Sequence, residues 1–163
     1  MDIQIREYTK EYTKEAIQIW NHIVEEGNAF PQMDCLTEST GEEFFLGQSY
    51  TGIAVDVDSG EIAGLYILHP NHVGRCGHIC NASYAVRWDM RGCQIGEKLV
   101  LHCMEQGKAL GYAILQFNAV VKSNEAALHL YQKLGFTRLG VIPRGFLMKD
   151  GSFEDIIPHY IAL

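Results

Sequence analysis

Residues 78–121 constrain the fold more than any other part of the chain. A β-rich run at 78–86 leads into a polar, glycine-containing stretch at 87–96, then into Ile95, Leu99, Cys103 and Leu110 near the helical period, then into a second apolar run at 114–121. Two strands joined by a helical crossover run parallel, because only a long connection can return the chain to the same end of the sheet. Gly111 follows the last periodic residue, as a helix-terminating glycine does. The remaining segments supply antiparallel partners. Ile3 and Ile5 alternate with polar neighbours, and Ala16, Ile19, Trp20 and Ile23 predict a helix over 13–26. Runs at 51–57 and 61–68 flank Asp58-Ser59-Gly60 and predict a hairpin. Thr40 and Glu43 have the capping-box spacing, which places Thr40 at the cap of a short helix. Residues 124–134 read as a helix closed by Gly135, and 137–142 and 153–162 as two strands joined by a loop around Asp150-Gly151. The expectation is a single α+β domain over 1–163, a mixed and largely antiparallel sheet with helices on both faces.

Composition narrows the function. With 163 residues and 47% hydrophobic content, one chain encloses one core. Thirteen Lys and Arg against twenty Asp and Glu give a net charge of -7, which argues against nucleic acid or an anionic membrane as partner. The N-terminus lacks a basic patch followed by an apolar run, and no stretch of 18 apolar residues occurs, so a cytoplasmic chain with reduced thiols is expected. Five cysteines, an odd number without a CxxC pair, agree with that. His72, Cys76, His78 and Cys80 fit no common zinc spacing, and no metal is expected.

Arg91-Gly92-Cys93-Gln94-Ile95-Gly96 sits between a strand and a helix, where successive backbone N–H groups and the positive helix end can cradle an anion such as a pyrophosphate. A strand-to-helix turn also needs glycine for steric reasons alone. The stretch is neither a Walker loop nor a dinucleotide fingerprint. Downstream, Asn124, Leu128 and Tyr131 fall at i, i+4 and i+7, which sets the Asn amide and the Tyr hydroxyl on one helix face about 10 Å apart along the axis, with room left by Ala127. The core stripe of that helix passes through Ala127, Leu130 and Leu134, leaving Tyr131 at its margin.

These pieces together resemble the GCN5-related N-acetyltransferase superfamily over nearly the whole chain. The family's acetyl-CoA loop, [Q/R]-x-x-G-x-[G/A], is met at Arg91 and Gly96, with Gln94 in place of the first glycine. Its second signature, an Asn ending the fifth strand and then N-x-x-A-x-x-x-Y-x-x-x-G-F, is met by Asn118, Asn124, Ala127, Tyr131, Gly135 and Phe136. The resemblance implies a central sheet of about seven strands whose parallel fourth and fifth strands splay apart. It implies acetyl-CoA as co-substrate, bound by Ala85, Val86, residues 91 to 97 (Arg91 through Glu97), Asn118, Asn124, Ala127 and Tyr131. A main-chain N–H near Tyr84 to Val86 would polarise the thioester carbonyl, and Tyr131 would act as acid toward the departing thiolate. No residue is singled out as base. Residues 78–84 are similar to the same strand in azetidine-2-carboxylate acetyltransferases, so Asn81, Ser83 and Tyr84 are the candidate acceptor contacts, with Asn81 and Ser83 on one face and Tyr84 on the other. The implied activity is acetyl transfer to a small amine, such as an amino acid. The alternative is a non-catalytic acyl-CoA sensor or partner-binding module with the same fold, to which Gln94 points. Ile156, Ile157, Tyr160 and Ile161 make the last strand apolar enough to pair or exchange across a two-fold in a homodimer.

Overall fold

The computed structural model describes residues 1–163. Its strands are β1 (Ile3–Glu7), β2 (Tyr50–Asp56), β3 (Ile62–Pro70), β4 (Ile79–Val86), β5 (Ile114–Phe117), β6 (Thr137–Arg138), β7 (Ile142–Leu147), β8 (Phe153–Ile156) and β9 (His159–Ala162). Its helices are α1 (Thr13–Glu26), α2 (Glu38–Leu46), α3 (Ile95–Ala109) and α4 (Glu125–Lys133). Seven strands form one sheet in the order β1-β2-β3-β4-β5-β9-β6, and β7 and β8 form a separate hairpin. Only β4 and β5 pair in parallel, as the helical crossover requires.

Alternation along β2, β3 and β4 divides the core between the two faces of the sheet. Ile53, Val55, Leu65, Ile67 and Ala85 pack against Ala16, Ile19, Trp20 and Ile23 of α1. On the other face Tyr66, Leu68 and Cys80 meet Leu99, Val100 and Cys103 of α3, and the same cluster continues to Phe117 and Tyr131. Trp20 anchors the first layer, its ring centroid 4.4 Å from that of Phe30. No helix is long and apolar enough to cross a membrane.

Several boundaries differ from the sequence reading, each for a local reason. The cap of α2 is Thr37, whose side chain accepts the Thr40 N–H while Thr40 accepts the Thr37 N–H. Thr40 is thus the third helical residue of that box, and the helix begins before it. The run at 114–121 stays in the sheet only to Phe117. Beyond it the chain is drawn toward β8: Ile157 N–H donates to the Val120 carbonyl at 2.8 Å and Lys122 N–H to the Asp155 carbonyl at 3.0 Å. The segment at 153–162 divides into β8 and β9 at Pro158, which has no amide hydrogen for a ladder. β9 lies between β5, which pairs along its whole length, and the two-residue β6, which pairs with His159 and Tyr160.

Candidate active site

The parallel ladder between β4 and β5 ends after two register pairs, Ile79 with Ile114 and Cys80 with Leu115. Asn71 N–H donates to the Ile79 carbonyl and Arg87 N–H to the Ala63 carbonyl, both at 2.9 Å, so the odd-numbered residues of β4 face β3 with their main-chain groups. Alternation then turns the amides and carbonyls of Ala82, Tyr84 and Val86 toward β5, which has diverged. The Ala82 N–H is capped by Asn81 Oδ1 at 2.7 Å. Tyr84 and Val86 keep unpaired main-chain groups along one wall of a wedge, an edge that an extended ligand can join as a strand would.

A cavity of about 300 Å³ occupies the wedge, lined by Asn81 and Ser83 of β4, Asn118 just past β5, and Asn124, Ala127 and Tyr131 at α4, with Phe30 and Pro31 closing it from the loop after α1. None of its lining side chains is a carboxylate, imidazole or ammonium. A second recess of about 760 Å³ adjoins it through Ala29, Tyr84 and Asn124 and runs along Met90, Arg91, Gly92, Gln94, Ile95, Gly96 and Glu97.

That recess ends at the N-terminus of α3. Gly92 and Gln94 both have left-handed backbone, φ +81° and +62°. Gln94 is the residue before the first turn and its side chain caps nothing, so the amides at 95–97 have no partner from a capping side chain. Free amides at a helix N-terminus attract an anionic group. The left-handed conformation costs a non-glycine residue about 1 kcal/mol, which is the physical reason a glycine suits this position. Arg91 Nη2 donates to Glu26 Oε1 at 2.5 Å, and Lys133 Nζ donates to Glu97 Oε2 at 2.6 Å, tying the loop to α1 and the helix start to α4. Asn124 caps α4 by accepting the Ala127 N–H at 3.3 Å, so its oxygen is committed to the helix.

Tyr131 is buried at the centre of the α4 contact, and its expected place at the margin of the stripe is corrected by that. Its ring lies 4.6 Å from Phe117 and 5.3 Å from Phe136, and His159 meets it edge-on at 5.7 Å. Burial pushes the Tyr131 hydroxyl well above the ordinary tyrosine pKa, so it stays protonated across the physiological range. His159 is itself buried, its Nδ1 2.6 Å from the Ile157 carbonyl, and burial lowers its pKa and favours the neutral ring.

One further expectation changes. Ala85 turns its main chain to β3 and its side chain into the α1 layer, away from the wedge. Tyr84 borders the wedge, but its hydroxyl is buried without a hydrogen-bond partner, next to the Cys103 thiol that burial pushes up to about 12. The Tyr84 side chain thus lies on the face opposite Asn81 and Ser83, as alternation along β4 predicts. Cys93 is exposed, between Gly92 and Gln94 of the recess lining. Cys76 is exposed, Cys80 is buried with its thiol directed to the Ile114 carbonyl at 3.3 Å, and no three His, Cys, Asp or Glu side chains converge as a metal site would require.

Sequence reasoning overlooked Asn71, whose side chain bonds two of the three cavity asparagines, Asn81 and Asn118. The only signal was a Pro70-Asn71 turn dipeptide at the end of a strand, which speaks of chain reversal rather than of a site.

Comparison with known proteins agrees with this geometry. The family model described as "Acetyltransferase (GNAT) family" matches residues 4–136. The chain is 29% identical to N-acetyltransferase aca1 of Schizosaccharomyces pombe, with 86% of this chain and 74% of that protein covered. A GCN5-related N-acetyltransferase from Kribbella flavida superposes with a TM-score of 0.90 at 27% identity, over 99% of this chain and 98% of that one. The yncA acetyltransferase of Salmonella typhimurium, solved with acetyl-CoA, shares the fold at a TM-score of 0.91 and 17% identity, over 100% and 95% of the two chains.

Proposed function

Because the chain belongs to the acetyltransferase (GNAT) family and is an acetyl-CoA-dependent acetyltransferase, we propose that it acetylates the nitrogen of a small amine of the amino-acid class by direct attack in a ternary complex. The observation that carries this reading is the small wedge cavity, lined by asparagine, serine and apolar side chains and reached by the Tyr131 side chain. Its volume of about 300 Å³ suits an acceptor of amino-acid size, at the lower end of ligand pockets generally.

In this reading the free main-chain groups of Tyr84 and Val86 hold the extended arm of acetyl-CoA, and the amides at 95–97 hold its pyrophosphate. One of the β4 amides polarises the thioester carbonyl as charge develops on its oxygen. The amine nitrogen forms the new bond to the carbonyl carbon while the carbon–sulfur bond breaks. The nitrogen sheds one proton on acylation and the thiolate gains one, with the Tyr131 hydroxyl, kept protonated by burial, hydrogen-bonded to the sulfur. The cavity lining offers no carboxylate or imidazole to take the ammonium proton, so the amine enters already neutral or loses its proton to water. Asn81, Ser83 and Asn118 contact the acceptor on the side away from the Tyr84 hydroxyl.

The experiment is thiol release from acetyl-CoA against a panel of free amino acids, larger amines and peptides. Turnover with the small amino acids and little with peptides is the expected result. Turnover confined to peptides would overturn the acceptor class. Acetyl-CoA binding by calorimetry with no thiol released across the panel would instead support a sensor.

A further inference from the structure

Three asparagines from separate elements meet where the β4–β5 ladder stops. Asn71, just past β3, exchanges two hydrogen bonds with Asn118: Asn118 Nδ2 donates to Asn71 Oδ1 at 2.7 Å, and Asn71 Nδ2 donates to Asn118 Oδ1 at 3.2 Å. Asn81 Nδ2 donates to the same Asn71 oxygen at 3.4 Å. Gln116 Nε2 adds a bond to Asn118 Oδ1 at 3.1 Å, and His72 Nε2 lies 3.2 Å from Asn71 Nδ2. Side-chain amides thus bridge β4 and β5 immediately beyond the last main-chain pair.

The polarity of this network is dictated by the backbone. The Ala82 N–H can only donate, and its acceptor at 2.7 Å is Asn81 Oδ1. Asn81 must therefore turn its nitrogen to Asn71, Asn71 must answer with its oxygen, and Asn118 must meet that oxygen with its own nitrogen. Each amide nitrogen carries two hydrogens. After these bonds one N–H remains on Asn81 and one on Asn118, while both of their oxygens are already engaged. Asn81 and Asn118 line the same cavity from opposite sides of the wedge.

We propose that Asn71 is a positioning residue for the acceptor: it locks Asn81 and Asn118 so that their remaining hydrogens face the cavity, which then takes an amine bearing a carboxylate close to the nitrogen. This rests on the reading of the cavity as the acceptor site. Two donors on opposite sides of the wedge, whose own side-chain oxygens are already engaged, complement the two oxygens of a carboxylate, whereas a carboxamide offers one oxygen and turns two hydrogens of its own toward the second donor. Asn71 transmits the direction imposed at Ala82 across the gap that the main chain leaves open, and it does so without touching substrate.

The test compares L-proline with L-prolinamide and L-alanine with L-alaninamide as acceptors. Asn71→Ala is expected to raise KM for the carboxylates about tenfold, the loss of roughly one charge-assisted hydrogen bond, and to change KM for the carboxamides less than about twofold. Acetyl-CoA affinity should be unchanged. Asn71→Asp keeps both accepted bonds but lacks the donor to Asn118 and adds a negative charge, so it should lose more with the carboxylates than Asn71→Ala does. Side-chain NH₂ resonances of Asn81 and Asn118 should shift in unliganded Asn71→Ala. Equal losses on carboxylate and carboxamide, a parallel loss of acetyl-CoA affinity, or unmoved resonances would each overturn the proposal. Wild-type protein that releases no thiol with any of the four acceptors, while the resonances still shift in the variant, would sink the acceptor assignment and leave the lock standing.

Discussion

β4 has two edges, and they behave differently. Along β3 it keeps seven register pairs, from Gly64 with Val86 to Pro70 with Cys80. Along β5 it keeps two. The first edge is committed wholly to the fold, with Leu65 and Tyr66 fully buried on opposite faces of β3. The second opens into a wedge that the Asn71–Asn81–Asn118 network bridges at its narrow end. A strand can serve a site with its main chain only where a neighbouring strand has withdrawn, so rigidity on one edge is what makes an open edge on the other tolerable.

Leu65→Ala attacks the rigid edge. It should destabilise the protein by about 3 kcal/mol through lost transfer energy and a cavity, read as a lower urea midpoint. A cost under about 1 kcal/mol would mean that the β3–β4 seam is not the stable side. Tyr131→Phe attacks the open edge and should lower kcat about a hundredfold with acetyl-CoA affinity preserved, whereas equal turnover would remove Tyr131 from the acid role. The pH profile sharpens the contrast further. With no base in the cavity lining, kcat/KM should rise about tenfold per pH unit up to the acceptor's own pKa. The raised pKa of Tyr131 keeps its protonated, donating form beyond the range of a free tyrosine, so no fall is expected below pH ~10. A plateau governed by a group titrating near neutrality would instead reveal a base. The smallest effect is Gln94→Gly, which relieves the left-handed backbone and should stabilise the fold by about 0.5–1 kcal/mol while tightening acetyl-CoA binding. Weaker binding would show that the Gln94 side chain contributes a hydrogen bond to the phosphates.

Much of the β3–β4 side was legible because it follows local rules. The hairpin at Asp58-Ser59-Gly60, the α1 stripe of Ala16, Ile19, Trp20 and Ile23, and the glycine after α3 are all read from neighbours in sequence. The open edge was legible only as motif. Asn118, Asn124, Ala127 and Tyr131 were found as a pattern, and the structure gathers all four at one cavity. Ala85 was misplaced, because which main-chain groups of β4 are free depends on its register with β3. The early end of β5 was hidden for a similar reason: residues 118–121 remain apolar enough for a strand, but long-range bonds to Ile157 and Asp155 pull them out of the sheet.

The chain by itself determined its element order, its parallel crossover and the glycine-containing strand-to-helix turn at 91–96, because hydrophobic period and glycine placement act over a few residues. Tertiary structure alone decided where β4 and β5 part, that β9 is enclosed between β5 and β6, and that Asn71 reaches Asn81 and Asn118. Those outcomes depend on pairing between segments tens of residues apart, and a strand's pattern of side chains says which face is buried but not which neighbour takes each edge.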